Sequence, residues 1–401
     1  MPKVLRIINR FNLGGPTYNV SYLSRYLAPE FETLLIGGEK DSTEDSSEHI
    51  LEQLDLKPTI IPEMKREINL HDDRAAYLKI KKLIHEFKPD IVHTHASKAG
   101  TLGRLAADAC NVPVILHTFH GHVFHSYFGK TKTMFYKNIE RYLASKSTAI
   151  IAISDLQKKE LSEIHKICNP GKIEVIPLGF DLGKFRDRMD EKRAEFRKTY
   201  QIEDDELVIM IIGRLVPVKN HRLFLEAIRY VQQNSTRRIR GMIVGDGEER
   251  ARIENMATEL GLEYDTPSRS NPGAVLTFTS WIHDADKACA GADIITLCSL
   301  NEGTPVSLIE AQAAGKPIVS TNTGGIANVV LPDITASLSE PGNPDDFFMK
   351  LLDLVQNEQR RADMSRAGWE HVKSSFHYTR LVEDMRKLYS RLLLSAKEGI
   401  R

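Results

Sequence analysis

The sequence predicts an α/β protein of two doubly wound domains facing across a cleft. Short apolar runs rich in β-branched residues alternate with longer amphipathic stretches along the whole chain, the pattern of parallel sheets with helices on both faces. The alternation lapses once, near residues 178–190, and then resumes. The chain's 401 residues also exceed what one core usually supports, about 250–300 residues.

The first half supplies the strand-like runs Val4–Ile8, Thr33–Ile36, Thr59–Ile61, Ile91–Thr94, Val112–His117, Ala149–Ile153 and Ile173–Ile176. They are nearly continuous in apolar residues, as strands covered on both faces tend to be. Helical periodicity fills the gaps: in Leu70–Phe87 the residues Leu70, Tyr77, Ile80, Leu83, Ile84 and Phe87 share one face. The linker begins at Pro177-Leu178-Gly179-Phe180-Asp181-Leu182-Gly183, and a charged stretch from Arg186 to Arg197 follows. The second series of strands is Leu207–Ile212, Gly241–Val244, Val275–Thr279, Ile294–Leu297 and Pro317–Ser320. Helical patterns close the chain, with Leu351, Leu352 and Val355 and then Leu381, Met385, Leu388 and Leu392. The expected division is thus two Rossmann-like domains, residues 1–180 and 190–375. Such sheets bind ligands beyond the carboxyl ends of their strands.

Composition narrows the class. Lys and Arg number 54, as do Asp and Glu. A formal net charge of zero argues against a protein that coats nucleic acid, where affinity is mostly phosphate neutralisation. With 41% apolar residues, packed cores are available and a disordered chain is excluded. Cys110, Cys168, Cys289 and Cys298 are scattered without metal-ligand spacing, which favours a reducing compartment. The opening apolar run is interrupted by Arg6 and followed by Arg10, too short and too charged for a signal peptide. The uncharged stretch Ala109–Gly129 contains Asn111, Pro113, four histidines and Gly121, so it reads as a buried strand and loop rather than a membrane helix. A cytoplasmic enzyme is expected.

Chemistry-bearing residues cluster after the strands. The first strand runs into Asn12-Leu13-Gly14-Gly15-Pro16-Thr17, with a helical pattern from Tyr18 to Leu27. Paired glycines let backbone amides approach a ligand, and a helix N-terminus favours anions. An ordinary glycine turn has the same look, and the Gly-x-Gly-x-x-Gly spacing of a dinucleotide site is missing. Leu207–Ile212 delivers Gly213, Arg214 and, five residues later, Lys219. A planar fork and a mobile point charge suit a diphosphate; two solvated surface charges are the plainer alternative. Gly245-Asp246-Gly247 follows the next strand. Then comes Asn301-Glu302-Gly303-Thr304-Pro305-Val306-Ser307, ahead of a helix with apolar Leu308, Ile309 and Ala311. Pro305 suits the first turn of that helix, Glu302 precedes it and Glu310 lies within it. Carboxylates there accept hydrogen bonds from vicinal hydroxyls, and free amides at the helix start face anions. A capping Glu and an exposed helical Glu would be the structural counterpart. Gly315-Lys316-Pro317 and Thr323-Gly324-Gly325 complete the series.

In order and spacing these pieces resemble glycosyltransferase family 4, of the GT-B fold: Gly213-Arg214-Leu215 with Lys219, then Gly-Asp-Gly, Glu-Gly-x-Pro-x4-Glu-Ala, Gly-x-Pro-x-Val and Gly-Gly-Ile. The match covers nearly the whole chain, including the N-terminal glycine loop and Ile176–Asp181. The resemblance implies a retaining, hexosyltransferase-type enzyme that needs no metal or other cofactor. It would move a sugar from a nucleotide diphosphate sugar, usually a UDP-sugar, to a glycan or lipid-linked acceptor, as in bacterial surface polysaccharide synthesis. The N-terminal domain would bind the acceptor and the C-terminal domain the donor, with a last helix at about 376–395 packed back on the first domain. By the same resemblance Arg214 and Lys219 hold the diphosphate, Glu310 the ribose hydroxyls and Glu302 the hydroxyls of the transferred sugar. Amides of Gly303, Thr304, Val306 and Ser307, around Pro305, face sugar and phosphate, and Ile282 meets the base through its backbone. Gly14, Gly15, Gly213 and Gly245 belong to the donor-binding loops. Two departures stand out: Asn220 occupies a position where many relatives have Gly, and Gly15 is followed by Pro-Thr-Tyr rather than a small-acidic stretch.

Six histidines, His93, His95, His117, His120, His122 and His125, fall around two strand ends. His93 and His95 share a strand face, and three histidines with a water would make a zinc site. No Glu or Cys joins them at ligand spacing, and Asp284-Ala285-Asp286 sits at a helix start, where capping explains it. The resemblance instead puts His120 near the donor's scissile bond, with His122 as the substitute, completing a catalytic set of His120, Arg214, Lys219 and Glu302. The other histidines are left to line the cleft or satisfy core hydrogen bonds. Phe119, Val123, Phe124, Tyr127 and Phe128 precede Lys130, Lys132, Lys137, Arg141 and Lys146, against one acidic residue, Glu140. Phe119–Lys146 is therefore a candidate for peripheral contact with an anionic membrane, set against packed aromatics and a solvated helix face. The competing functions are a sugar-nucleotide epimerase of the same fold, a dehydrogenase lacking its glycine fingerprint, and a non-catalytic sugar-nucleotide-binding protein.

Overall fold

The computed structural model describes every residue except 13, 42–45, 66, 122–129, 283 and 400–401, and the backbone alone at 130–132. The chain forms two compact units, Met1–Phe180 with Phe376–Arg401, and Asp181–Ser375. Each is built on a seven-stranded sheet whose strands all pair in parallel.

The first unit contains β1 (Lys3–Arg10), β2 (Glu32–Gly38), β3 (Thr59–Ile60), β4 (Ile91–His95), β5 (Val114–Phe119), β6 (Ala149–Ala152) and β7 (Ile173–Val175), in the order β3-β2-β1-β4-β5-β6-β7. The order reverses between β1 and β4, so that edge is the switch point where doubly wound sheets take ligands. Side-chain alternation along β1 divides the core. Val4 packs with Leu23, Leu27 and Leu116 on one face, and Leu5 and Ile7 pack with Ile80, Ile84 and Val92 on the other. The last helix, Tyr378–Lys397, belongs to the first face: Leu381, Met385 and Leu388 form its buried stripe at helical spacing. It sits close to the linker because a Cβ on Gly179 would lie 2.7 Å from Leu381 Cβ. Phe180 and Tyr378 also exchange backbone bonds, with Phe180 N–H donating to Phe376 O at 2.8 Å and Tyr378 N–H to Phe180 O at 3.0 Å.

Two boundaries in this unit differ from expectation. The fifth strand starts at Val114 rather than Val112, because Pro113 has no N–H to give to a ladder. The helix Leu70–Phe87 has the predicted limits, capped by Asn69, which accepts from the amides of His71 and Asp72. Leu70 nevertheless lies outside its buried stripe, 87% exposed as the first helical residue, the buried positions being Ala76, Ile80 and Ile84.

The second unit contains β8 (Leu207–Ile212), β9 (Ile239–Val244), β10 (Tyr264–Asp265), β11 (Leu276–Phe278), β12 (Ile294–Leu297), β13 (Ile318–Thr321) and β14 (Ala336–Ser339), in the order β10-β11-β9-β8-β12-β13-β14. Its switch point lies between β8 and β12. Ile209, Ile211, Phe224, Ile243, Phe278, Ile294 and Leu351 form its core. The edge strands β10 and β14 escape sequence reading because Tyr264-Asp265 and Ala336-Ser337-Leu338-Ser339 are not near-continuous apolar runs. No helix among the described residues is long and apolar enough to cross a membrane.

Candidate active site

In the second unit, loops after β8, β9, β12 and β13 converge. β8 delivers Gly213, and the chain turns through Pro217–Lys219 to Asn220, whose φ of 49° is left-handed. Gly and Asn tolerate that conformation best, which is why Asn serves at this turn. Gly245 follows β9, with φ +141°, and a Cβ there would lie 2.0 Å from Gly213 O. Only glycine lets these two loops touch. Lys219 folds back over Gly213, with its Cε 3.6 Å from where a Gly213 Cβ would be. Arg214 is exposed beside it.

After β12 the buried Ser299 leads into Leu300, whose N–H donates to Val218 O at 2.8 Å and ties this loop to the one carrying Lys219. Glu302 Oε1 accepts two bonds, from Lys219 Nζ at 2.5 Å and from Ser299 Oγ at 2.6 Å. The loop after β13 supports this corner from below. A Cβ on Gly324 would stand 2.1 Å from Glu302 O, and one on Gly325 would stand 1.7 Å from Gly303 O. Gly325 N–H donates to Glu302 O at 2.8 Å.

The helix Val306–Ala313 starts just beyond. Pro305 occupies its N-cap position rather than its first turn, and no side chain caps it. Its first amides, beside half-buried Thr304, Val306 and Ser307 and exposed Gly303, are therefore available to an anion. Within the helix, Glu310 has Lys184 and Asp286 as charged neighbours. Burial pushes its carboxyl up to about 7, against the pull of Lys184 and with a further push from Asp286. Ile282 is half-buried and lines a recess of about 290 Å³ with Phe196, Tyr200 and Lys287. Asp284 does not cap the helix Ala285–Gly291 with its side chain, contrary to expectation. Its carboxylate pairs with Lys287 at 3.5 Å, and Asp286 pairs with Lys192 at 2.8 Å, so cations near the helix draw both carboxylates off its amides.

The remaining candidates belong to the first unit. Gly14 precedes the helix Gly15–Tyr26, which also lacks a side-chain cap, and Thr17 Oγ1 donates to Asn12 O at 2.6 Å. His120 Nε2 and His95 Nδ1 share a hydrogen bond of 2.9 Å. His93 Nδ1 is 2.6 Å from Tyr389 Oη and 3.1 Å from Arg6 Nη1, and its Nε2 is 2.7 Å from Thr118 Oγ1. His117 Nδ1 is 2.9 Å from Thr94 Oγ1. Burial holds all four imidazoles neutral, with His120 down at about 3. His93, His95 and His117 therefore serve core hydrogen bonds, while His120 is half-buried. Among the described residues no three His, Cys, Asp or Glu are placed to hold a metal. His122, His125, Val123, Phe124, Tyr127 and Phe128 lie outside the described residues. Sequence reasoning missed Arg6, Thr118 and Tyr389, which no local pattern marks. It also missed Ser299, whose hydroxyl three residues before Glu302 was a readable sign.

Two parallel α/β units carry, at the strand ends of the second, a Lys–Glu pair beside an uncapped helix, and the class of protein follows from what this chain is similar to. Residues 13–184 match the family model for Glycosyltransferase Family 4, and residues 192–371 that for glycosyl transferases group 1. The chain is 30% identical over 335 residues to the UDP-Gal:alpha-D-GlcNAc-diphosphoundecaprenol alpha-1,3-galactosyltransferase of Escherichia coli, covering 83% of this chain and 84% of that one. It is 26% identical to the capsular polysaccharide biosynthesis glycosyltransferase CapM of Staphylococcus aureus, covering 86% and 87%. The crystal structure of Anabaena Alr3699/HepE in complex with UDP shares the fold at a TM-score of 0.79 and 18% identity, covering 97% of this chain and 100% of that one. The glycosyltransferase WaaG, involved in lipopolysaccharide biosynthesis, does so at 0.69 and 16%, covering 96% and 99%. This chain belongs to glycosyltransferase family 4.

Proposed function

We propose that the enzyme moves a hexosyl group, with retention of configuration, from a UDP-sugar to a sugar carried on a lipid diphosphate. The observation that carries this is the Lys219–Glu302 contact at 2.5 Å, beside the open N-terminus of Val306–Ala313. It sets a cation for a diphosphate next to a carboxylate for sugar hydroxyls. Arg214 supplies a second cation, and the amides of Gly303 to Ser307 supply neutral donors. Glu310 takes the ribose hydroxyls, and Ile282 the base through its backbone. Gly213 and Gly245 shape the donor loop, and Gly14 and Gly15 offer amides from the first unit. His120, held neutral, is assigned to the transferred sugar.

In the reaction, the bond from the anomeric carbon to the β-phosphate oxygen breaks. The acceptor hydroxyl forms the new bond on the same face, and its proton passes to the departing phosphate oxygen. Arg214, Lys219 and the helix amides stabilise the negative charge that grows on UDP. The reaction as drawn uses no metal or cofactor.

The lipid-linked acceptor is supported by the galactosyltransferase relative, whose name specifies such a substrate, and by the helix Lys130–Lys146. Met134, Phe135 and Tyr142 are exposed there at 55%, 62% and 55%, flanked by Lys137, Arg141 and Lys146. Glu140 is turned inward to Arg104 Nη2 at 2.7 Å, so the outer face is apolar and basic. An anionic membrane bearing the acceptor suits that face, and four free thiols suit the cytoplasmic side.

UDP-galactose and UDP-glucose, each with a GlcNAc-diphospholipid, provide the direct test, read by NMR of the product's anomeric centre. An inverted product, or a new nucleotide-sugar formed from donor alone, refutes the proposal. Co-sedimentation with anionic vesicles tests the membrane contact: Phe135→Asp should release the protein, and equal retention of the variant would overturn it.

A further inference from the structure

We infer that Ser299 is a positioning residue that fixes which oxygen of Glu302 the donor sugar meets. This rests on the assignment of Glu302 to the sugar. Ser299 is fully buried at the end of β12, and its two polar ends are committed in different directions. Its carbonyl accepts from Thr321 Oγ1 at 2.7 Å and Thr323 Oγ1 at 2.9 Å, which pins the backbone to the neighbouring strand end. Its hydroxyl is thereby aimed at Glu302 Oε1, 2.6 Å away. Glu302's own backbone is fixed from the other side by Gly325 N–H, 2.8 Å from its carbonyl.

Lys219 shares that same oxygen, at 2.5 Å. Both bonds to Glu302 thus fall on Oε1, and neither engages Oε2. When Lys219 turns to a diphosphate it leaves Glu302, and among the side-chain hydrogen bonds of the described residues that of Ser299 then remains to orient the carboxylate. The serine hydroxyl holds Oε1, so Oε2 is presented to the sugar in one orientation. Preorganisation of this kind raises affinity and rate by removing ordering that binding would otherwise have to supply.

The consequence is selective. UDP has no sugar to meet Glu302, so Ser299 should matter for UDP-sugars and be irrelevant to UDP. A hydrogen bond to a charged group corresponds to about tenfold to a hundredfold in a binding or rate constant. Ser299→Ala should therefore lower affinity and kcat/KM for UDP-galactose or UDP-glucose by up to about that factor, with UDP affinity held at its wild-type value and the thermal midpoint lowered by the lost buried hydrogen bond. In a Glu302→Gln background, Ser299→Ala should change kcat/KM by less than about twofold, because the two substitutions remove one function. Equal weakening of UDP and UDP-sugar by Ser299→Ala, or full additivity with Glu302→Gln, overturns the inference. So does a wild-type Ser299→Ala beside an inactive Glu302→Gln, which leaves the sugar role of Glu302 standing. If Glu302→Gln itself transfers normally, the assignment of Glu302 fails and the inference falls with it.

Discussion

Lys219 Nζ lies 2.5 Å from Glu302 Oε1, so the cation assigned to the diphosphate and the carboxylate assigned to the sugar are partners of each other before either meets a donor. Each keeps the other's charge compensated in a half-buried corner, where an unpaired charge would be costly. A diphosphate and a row of hydroxyls can replace both partners at once.

Removing the clamp should affect rate at both positions and stability at one. Lys219→Ala and Arg214→Ala are each expected to lower kcat by about 10²–10³, the usual effect of deleting one donor to a developing anion. The thermal midpoint should barely move in Arg214→Ala, whose side chain is exposed, and should fall in Lys219→Ala, which leaves the largely buried Glu302 carboxylate without its partner cation. Initial rates with UDP-galactose and a calorimetric scan check both, and a fully active variant contradicts the assignment.

Glu310, proposed to hold the ribose, should make donor binding depend on pH. Its carboxyl is pushed up to about 7, and only the ionised form accepts from two ribose hydroxyls, so UDP affinity should rise as pH increases through 7. Glu310→Gln should bind weakly at every pH. For stability the sign reverses: a raised carboxyl pKa favours folding below the ordinary value of 4.5, and this contribution is lost as pH rises through 7. The Gln variant should thus melt above the wild type at pH 8 and alongside it at pH 4. Isothermal titration and melting curves across that range decide the matter.

The buried histidines should set the acid limit. His93, His95, His117 and His120 all titrate below their ordinary 6.5, so their contribution is intact above 6.5 and is lost as pH falls toward their folded values. Each destabilises the fold as pH falls through that window, because the unfolded imidazole takes up a proton that the buried one refuses. Denaturant melts between pH 6.5 and 4.5 should show a steep loss, and His117→Gln should flatten it. An unchanged slope in that variant would show that His117 takes up its proton without unfolding.

Two neighbouring glycines should behave oppositely. Gly325→Ala places a methyl 1.7 Å from Gly303 O, whereas a Cβ on Gly303 meets nothing within 4 Å. The first should destabilise by about 1–3 kcal/mol and displace the Glu302 corner, with loss of transfer. The second should leave the melting temperature near wild type. Matched melts and rates for both variants provide the comparison.

Much of the fold was legible because burial on both faces of a parallel sheet demands near-continuous apolar runs, and β1, β4, β8 and β12 have them. The edge strands β10 and β14 were not, since Tyr264-Asp265 and Ala336–Ser339 carry no such run. Pro113 moved one strand start and Pro305 one helix start, each by a local rule that the surrounding apolar run obscured. At the site, Gly213, Lys219, Gly245 and Glu302 were legible as residue types at strand ends, and the structure joins them in one corner. Asp284 was misread: it holds the N-cap position, but its side chain makes no cap bond and pairs with Lys287 instead.

The sequence by itself determined the class: two α/β units, the glycine-rich strand ends, the cationic pair and the two glutamates eight residues apart. Those features follow from local chemistry, in which residue type and spacing already say what a backbone can do. Tertiary structure decided who touches whom. Lys219 and Glu302, 83 residues apart, meet because β8 and β12 are sheet neighbours. Tyr389 reaches His93 across 296 residues because the last helix returns to the first unit. Ser299 points at Glu302 because hydroxyls from Thr321 and Thr323 hold its carbonyl. Hydrogen-bond partners depend on packing over long separations, and no window of residues contains them.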